Sequence, residues 1–202
     1  PFPIISLVGY TNAGKSTLFN RLTGASVLSM DKLFATLDPT MRTLVLPSGM
    51  KAILSDMVGF VSDLPTELIA AFRATLEEVL EADLLLHVRD ISHPDSQAQK
   101  RDVEEVLMGL FKRKRLPENL IEVWNKVDKL PTAAQGGEGH FKISALTGEG
   151  IPTLLAALEK EMERRFYTKT HFTLKLADGK SLAWLHAHGK VVAQEIEDEF
   201  VH

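Results

Sequence analysis

The chain has 202 residues, of which 45% are hydrophobic and 25% charged, so it can form one globular domain with a full core, with or without a small appendage. It has no cysteine, which excludes disulfides and thiolate zinc sites and fits a reducing compartment, the cytoplasm or an organellar matrix. Its net charge of −4 gives no global attraction to nucleic acid, and its longest apolar stretches are too short to cross a membrane. Because the chain starts at Pro1 without methionine, we expect that an upstream region has been removed.

The first motif follows an apolar, β-branched stretch at residues 4–8 that predicts a strand. Gly9-Tyr10-Thr11-Asn12-Ala13-Gly14-Lys15-Ser16 has the spacing of a phosphate-binding P-loop and leads into a helical sequence. Such a loop points consecutive N–H groups at one anion, so we expect Lys15 to reach the β- and γ-phosphates and Ser16 to hold Mg²⁺. The predicted phosphate contacts are Asn12, Ala13, Gly14, Lys15, Ser16 and Thr17.

A stretch without clear periodicity, residues 25–38, follows the first helix, and a loop of this length beside a phosphate site is usually functional or mobile. Strands at 42–46 and 50–54 are then joined by Pro47-Ser48-Gly49, a composition typical of a hairpin.

Strands and helices alternate through the rest of the first 166 residues. Apolar residues at spacings of three and four predict an amphipathic helix over residues 64–82. The further predicted elements are a strand at 84–88, a helix at 95–110, strands at 120–124 and 141–143, and a helix at 151–166. This order predicts the α/β fold of P-loop NTPases, a mostly parallel sheet with helices on both faces and ligands at the carboxyl ends of the strands.

The pattern changes in the last part of the chain, residues 167–202. Alternation over 172–176, a short helical stretch at 181–188 and a further strand at 190–196 predict a small α+β domain. A segment this short does not usually fold alone without disulfides or a bound metal. We therefore expect it to dock on the main domain or on a neighbouring molecule. His186 and His188 are two residues apart, which favours a structural role over metal binding.

Asn125-Lys126-Val127-Asp128 follows a predicted strand and indicates the base that the site accepts. The Asp128 carboxylate can accept hydrogen bonds from N1–H and the exocyclic amine of guanine. Adenine would leave this carboxylate unpaired, and such mismatches are rejected by factors of about 10⁴ to 10⁵. After the next strand, Ser144, Ala145 and Leu146 are expected to offer backbone N–H groups to the guanine carbonyl. The predicted ligands are therefore GTP and GDP.

Asp56 and Gly59, in Asp56-Met57-Val58-Gly59, complete the triphosphate end of the predicted site. We expect Asp56 to orient Mg²⁺ through water and the Gly59 N–H to meet the γ-phosphate, which would make the following loop sensitive to hydrolysis. Four such motifs, each after a strand and in this order, resemble the translation-factor class of P-loop GTPases.

Three further stretches narrow the resemblance to the GTPase domain of the HflX family, over about residues 3–166. They are Phe34-Ala35-Thr36-Leu37-Asp38-Pro39, the segment from Asp56 to Val61 with Leu64-Pro65, and Ala71-Phe72-Arg73-Ala74-Thr75-Leu76-Glu77-Glu78. The tail containing Leu182-Ala183-Trp184-Leu185-His186 is similar to the small C-terminal domain of some members.

The resemblance implies that Thr36 is the switch residue that reaches Mg²⁺ and the γ-phosphate, with Thr40 as a competing candidate. Family members usually carry threonine where Met57 stands. The catalytic residues expected on this basis are Lys15, Thr36 and Gly59, and the Mg²⁺ ligands are Ser16, Thr36 and Asp56. The resemblance also implies the large ribosomal subunit as partner, in ribosome splitting, rescue or subunit assembly, and an N-terminal domain outside this chain.

Phe60 stands where many small GTPases have a glutamine that positions water, so we expect slow intrinsic hydrolysis that a large partner accelerates. Resemblance to GTPases with the G-x-x-N-x-G-K-[ST] motif suggests that Asn12 helps to bind K⁺, while a loop-stabilising asparagine explains this residue equally well.

Two other functions stay open: an Obg-like or Era-like GTPase with another RNA or protein partner, and a nucleotide-dependent binding module with negligible catalysis. A monomer is favoured.

Overall fold

A six-stranded sheet organises the first of the two compact units into which the chain divides, Pro1–Met162. The computed structural model describes residues 2–25, 40–56, 59, 79–112, 115–131, 140–167, 170–189, 191, 193–197 and 199–201. The strands are β1 (Ile4–Val8), β2 (Thr40–Val45), β3 (Lys51–Asp56), β4 (Leu84–Asp90), β5 (Leu120–Asn125) and β6 (Phe141–Lys142). Their order across the sheet is β2-β3-β1-β4-β5-β6.

Every strand pair in this sheet is parallel except β2 with β3. These two strands form the hairpin that the sequence predicts around Pro47-Ser48-Gly49. Because β1 lies between β3 and β4, the loops that follow these three strands start from one edge of the sheet. The predicted mostly parallel sheet is confirmed, with one antiparallel strand at its edge.

Helices α1 (Lys15–Thr23), α2 (Ser96–Leu110) and α3 (Ile151–Phe166) cover the sheet on both faces. Strand β4 is apolar and buried along most of its length, as expected of a central strand that packs on both sides. The larger core cluster joins alternate side chains of β4 to α1 and α3: Leu84, Leu86, Val88, Leu18, Phe19, Leu154 and Leu158. The smaller cluster joins Leu85, on the other face, to Val103 and Leu107 of α2.

Several predictions fall outside the described residues. These include the stretch predicted at 25–38, beyond its first residue, with the proposed switch residue Thr36, the position of Phe60, and most of the helix predicted over 64–82. The last turn of that helix is described, at residues 79–81, and Val79 is buried in the smaller core cluster.

The second compact unit, Glu163–His202, contains a small sheet and a helix. Strands β7 (Leu174–Lys175), β8 (Ile196–Glu197) and β9 (Phe200–Val201) pair antiparallel in the order β7-β9-β8. Helix α4 (Gly179–His188) starts after Asp178, whose side chain accepts a hydrogen bond from the Ser181 N–H at 3.1 Å. The domain boundary after residue 166 stays a prediction.

The strand predicted over residues 190–196 is wrong for most of its described length. Residues 191 and 193–195 have no strand structure, and pairing is limited to β8 at its end. An apolar stretch alone does not supply a partner strand, and among the described residues of this segment β9 pairs only with Ile196 and Glu197. Within the described ranges, none of the helices combines the length and apolar character that a bilayer crossing requires.

Candidate nucleotide site

The loop between β1 and α1 has the shape of an anion site. Gly14 takes a left-handed conformation, with φ at 95°, where the loop turns into α1, and an added Cβ would lie 2.3 Å from Asn125 Nδ2. Only glycine fits both the conformation and the close approach. The first N–H groups of α1, those of Lys15, Ser16 and Thr17, lack carbonyl partners within the helix and lie at its positive end. The predicted phosphate contacts thus lie at a helix start that suits a phosphate.

Lys15 is buried inside this loop rather than extended into solvent. Its Nζ donates hydrogen bonds to the carbonyl oxygens of Gly9, at 3.0 Å, and Tyr10, at 2.9 Å. Burial lowers the pKa of Lys15 to about 8, although the nearby Asp56 carboxylate raises it. An anion bound in the loop would favour the charged ammonium, so phosphate and proton binding reinforce each other at this side chain.

Asp56, the last residue of β3, is fully buried, and neither carboxylate oxygen has a hydrogen-bond partner of normal geometry among the described residues. Burial raises the pKa of Asp56, while the neighbouring Ser16 hydroxyl and Lys15 ammonium partly offset this increase. A buried carboxylate without a partner is costly, and a bound cation would satisfy it.

The donors near Asp56 fit Mg²⁺. The described residues contain no group of three or more His, Asp or Glu side chains that could hold a metal ion by themselves. Mg²⁺ in nucleotide sites needs only one or two protein oxygens, because phosphate and water complete its octahedral coordination. The Asp56 carboxylate and the Ser16 hydroxyl are oxygen donors of the required kind.

Gly59 lies directly against the phosphate loop. A Cβ at this position would lie 2.8 Å from Thr11 Cα and 2.9 Å from Lys15 Nζ, so no other residue fits without displacing the loop. The structure therefore brings together Lys15, Asp56 and Gly59, which the sequence places up to 44 residues apart.

Asn125 links the phosphate loop to the predicted base site. Its side chain is buried, Nδ2 donates to the Ala13 carbonyl at 2.8 Å, and Oδ1 accepts from the Ala145 N–H at 2.9 Å. Both ends of the amide are therefore used within the protein. The sequence predicts contact of Asn125 with the nucleotide, which stays a prediction. In the structure, Asn125 bridges the phosphate loop and the loop that follows β6.

Lys126 makes a second link between the same regions. Its Nζ donates to the Asn12 carbonyl and to Asp90 Oδ2, both at 2.6 Å. Partial burial of Asp90 opposes ionisation, but hydrogen bonds from Lys126 and Ser92 outweigh it and lower the pKa of this carboxylate. No motif in the sequence marks Asp90. Its position at the carboxyl end of β4, where ligands bind in such sheets, is the signal that points to it.

Asn12 and Ala13 have local roles in the loop. Asn12 has a left-handed backbone with φ at 60°, a conformation that asparagine tolerates better than most residues. The Ala13 N–H donates to the Tyr10 carbonyl at 3.2 Å, which turns the loop. These features favour the loop-stabilising interpretation of Asn12, and K⁺ binding at its side chain stays a hypothesis.

Asp128 lies in a short 3₁₀ helix, Val127–Lys129, that follows β5. Val127 anchors this turn, since its side chain is buried and its N–H donates to the Ile143 carbonyl at 3.2 Å. The Asp128 side chain is exposed and makes no hydrogen bond or ion pair in the part of the chain that the structure describes. It is available as an acceptor two residues from the lysine that contacts the phosphate loop.

The loop after β6 commits two of its three predicted amides to the protein. The Ser144 N–H donates to the Glu149 carbonyl at 3.0 Å, and the Ala145 N–H donates to Asn125. Leu146 has an exposed side chain, and its N–H has no partner among the described residues. Arg21 donates to the carbonyls of Ala145, at 2.7 Å, and Leu146. No local pattern singles out Arg21 in the sequence, because its partners lie more than 120 residues away.

Known proteins that are similar in sequence to this chain are GTPases. A protein-family model described as "50S ribosome-binding GTPase" matches residues 4–126, more than half of the chain. The "GTPase HflX" of Magnetococcus marinus is 45% identical over 99% of this chain and 46% of its own length. The "GTPase HflX" of Alkalihalophilus pseudofirmus is 58% identical over 79% of this chain and 37% of its own length. The chain thus spans about half the length of the curated relatives it matches.

Solved structures with the same fold include a GTP-binding protein from Sulfolobus solfataricus in complex with GDP. It aligns with a TM-score of 0.63 over 80% of this chain and 53% of that protein, at 24% identity. At this identity the likeness establishes the fold, an α/β P-loop domain. The matches in sequence show that the chain belongs to the P-loop GTPases of the "50S ribosome-binding GTPase" family and, within them, to the HflX group.

Proposed function

We propose that this protein is a GTP-binding and GTP-hydrolysing switch that acts on the large ribosomal subunit. The observation that carries the nucleotide-binding part of the proposal is the pair of links from Asn125 and Lys126 to the phosphate loop. These links hold the segment that carries Asp128, the proposed base-selecting residue, against the loop that carries Lys15, which supports a single site for a guanine nucleotide. A chain with unrelated phosphate and base motifs would not need such contacts.

Charge stabilisation and positioning would carry the hydrolysis step. Lys15 and the amides at the start of α1 would hold the β- and γ-phosphates, and the Gly59 N–H would bind the γ-phosphate. Ser16 and Asp56, with Thr36 by family resemblance, would hold Mg²⁺, which supplies positive charge against the charge that develops on the phosphate oxygens. The protein itself contributes a preformed arrangement, because the Lys15 side chain is already buried within the loop proposed to bind the phosphates.

The intrinsic rate should be low because Phe60 cannot donate or accept the hydrogen bond that positions water in many GTPases. A group supplied by a partner is worth about 10³ to 10⁵ in rate in related systems. We propose that the large ribosomal subunit is this partner, since the matching family and the HflX resemblance both indicate it. Splitting or rescue of stalled ribosomes, or subunit assembly, in the cytoplasm is the process that the resemblance suggests.

Sedimentation with purified 50S subunits tests the proposal. The protein should pellet with 50S subunits in a non-hydrolysable GTP analogue and less with GDP, and 50S subunits should accelerate phosphate release from GTP. Isolated 30S subunits serve as the control. Binding that ignores the nucleotide would contradict a switch, and phosphate release at background with 50S present would favour a binding module without catalysis, which Phe60 also suggests. Preference for 30S subunits or another RNA would favour an Era-like function.

A further inference from the structure

We propose that Arg21 is a positioning residue for guanine recognition, holding the backbone amide of Leu146 towards the carbonyl oxygen of the base. This inference rests on the proposed binding of guanine nucleotides. The proposal gives Arg21 no direct contact with the nucleotide. It would act through the loop that follows β6.

The Arg21 side chain forms a two-point contact with this loop. It leaves the last turn of α1, and its Nε donates to the Ala145 carbonyl at 2.7 Å while Nη2 donates to the Leu146 carbonyl. The guanidinium also packs near Gly148, where an added Cβ would lie 3.3 Å from Nη1. A planar guanidinium that donates two parallel bonds fixes orientation as well as distance.

Fixing these carbonyls also fixes the neighbouring amides. The Ala145 carbonyl and the Leu146 N–H belong to one planar trans peptide unit, so they point in opposite directions. Holding the carbonyl on Arg21 therefore turns the Leu146 N–H away from α1. The next peptide unit is fixed at both ends, because the Thr147 N–H donates to Ser144 Oγ at 3.0 Å while the Leu146 carbonyl is held by Arg21.

The Leu146 amide, on the side opposite Arg21, is the one that can meet a ligand. The Ala145 N–H is already bonded to Asn125 Oδ1, on the side of the base motif, whereas the Leu146 N–H has no partner among the described residues. Helix α1 thus begins at the proposed phosphate site, and Arg21 in its last turn holds the loop that follows β6. Arg21 would couple the two halves of the nucleotide site through a rigid helix.

The test compares three diphosphates in wild type and Arg21→Met by calorimetric titration. GDP and inosine diphosphate both keep the 6-oxygen, whereas 6-thio-GDP keeps N1–H and the exocyclic amine but replaces that oxygen with sulfur, a weaker acceptor. Arg21→Met should weaken GDP and inosine diphosphate by about tenfold each, the value of one well-oriented hydrogen bond. It should weaken 6-thio-GDP by much less, so the preference for GDP over 6-thio-GDP falls.

Matched variants distinguish this role of Arg21 from a general loss of stability of the fold. The Arg21 side chain is exposed, so its replacement should leave the core and the melting temperature intact. Arg21→Lys, which keeps the charge but loses the two-pronged contact, should fall between wild type and Arg21→Met. Arg101→Met, at an exposed arginine of α2, should match wild type.

Equal weakening of all three diphosphates, or unchanged GDP affinity, would overturn the proposal for Arg21 while leaving guanine binding in place. Wild-type protein that binds GDP no better than ADP would instead overturn the proposed function, and the role of Arg21 with it.

Discussion

A single exposed carboxylate, that of Asp128, carries base selectivity in the proposed site. Asp128→Asn should weaken GDP binding at least about a hundredfold, because the amide cannot accept both guanine N–H groups and turns a donor towards one of them. Xanthosine diphosphate, which has an oxygen in place of the amine, should bind the variant better than it binds wild type. Titration of GDP, xanthosine diphosphate and ADP measures the change.

A matched control for this prediction is Asp102→Asn, at an exposed carboxylate of α2, which should behave as wild type. If Asp128→Asn kept the wild-type ratio of GDP to ADP affinity, the carboxylate would not contact the base, and the assignment of the guanine site would be wrong.

At the scale of single residues, the sequence predicts what a local pattern encodes. The spacing of Lys15 within its loop indicates phosphate chemistry, and Gly59 after Asp56 adds to this signal because the two motifs follow strands in the expected order. Contacts between distant segments carry no such signal. The side chain of Asn125 reaches across 112 residues to the phosphate loop, and Arg21 reaches across 124 residues to Ala145.

At the scale of elements, the strands and helices of the first unit follow from their apolar periodicity. Strand β4 is a continuous buried run, and the helix predicted over 151–166 has those bounds in the structure. The prediction fails over most of 190–196, where only β8 at the end of the stretch pairs with a strand among the described residues. Periodicity therefore predicts an element well where a core is available to bury its apolar face.

A charged cluster joins three elements of the first unit, β4, β5 and α2. Glu122 accepts hydrogen bonds from the buried Arg89, from Lys100 Nζ at 2.6 Å, and from Trp124 Nε1 at 2.6 Å. Burial raises the pKa of Glu122, but these three donors outweigh burial and hold its pKa at about 2. The depressed pKa means that the ionised carboxylate stabilises the folded state.

Glu122→Gln should lower the free energy of unfolding by about 3 kcal/mol at pH 7, because it leaves the buried Arg89 charge without its partner. The folded-state pKa lies below the unfolded value of 4.5, so the stabilisation is present above pH 4.5 and is lost as pH falls towards 2. The difference in the free energy of unfolding between wild type and variant should therefore become smaller as the pH falls from 4.5 towards 2. Urea unfolding at several pH values measures it.

Glu104→Gln is the control for this cluster, since Glu104 pairs with Lys100 at 3.6 Å near the surface and such pairs contribute at most about 1 kcal/mol. A gap for Glu122→Gln that stays constant down to about pH 2.5, close to the folded-state pKa, would show that packing, and not the charge, makes the difference.

At the scale of the whole molecule, the described residues assigned to the candidate site all come from the first unit. Its described residues, from the phosphate loop to the loop after β6, lie between Gly9 and Leu146, and the sheet that positions them is complete within Pro1–Met162. The second unit, Glu163–His202, has its own small sheet. Nucleotide binding should therefore not depend on residues after 166.

Removal of residues 167–202 should leave GDP affinity within about twofold of the full chain, because the cut keeps the buried Leu154, Leu158 and Met162 of α3 in the core. A cut after residue 157 is the control, since it removes Leu158 and Met162 and should destabilise the domain by several kcal/mol, about 2 to 5 for each buried side chain. Calorimetric titration with GDP and thermal unfolding measure both. A tenfold loss of affinity in the longer fragment would mean that the C-terminal unit contributes to the nucleotide site, and that the boundary after 166 divides one functional domain.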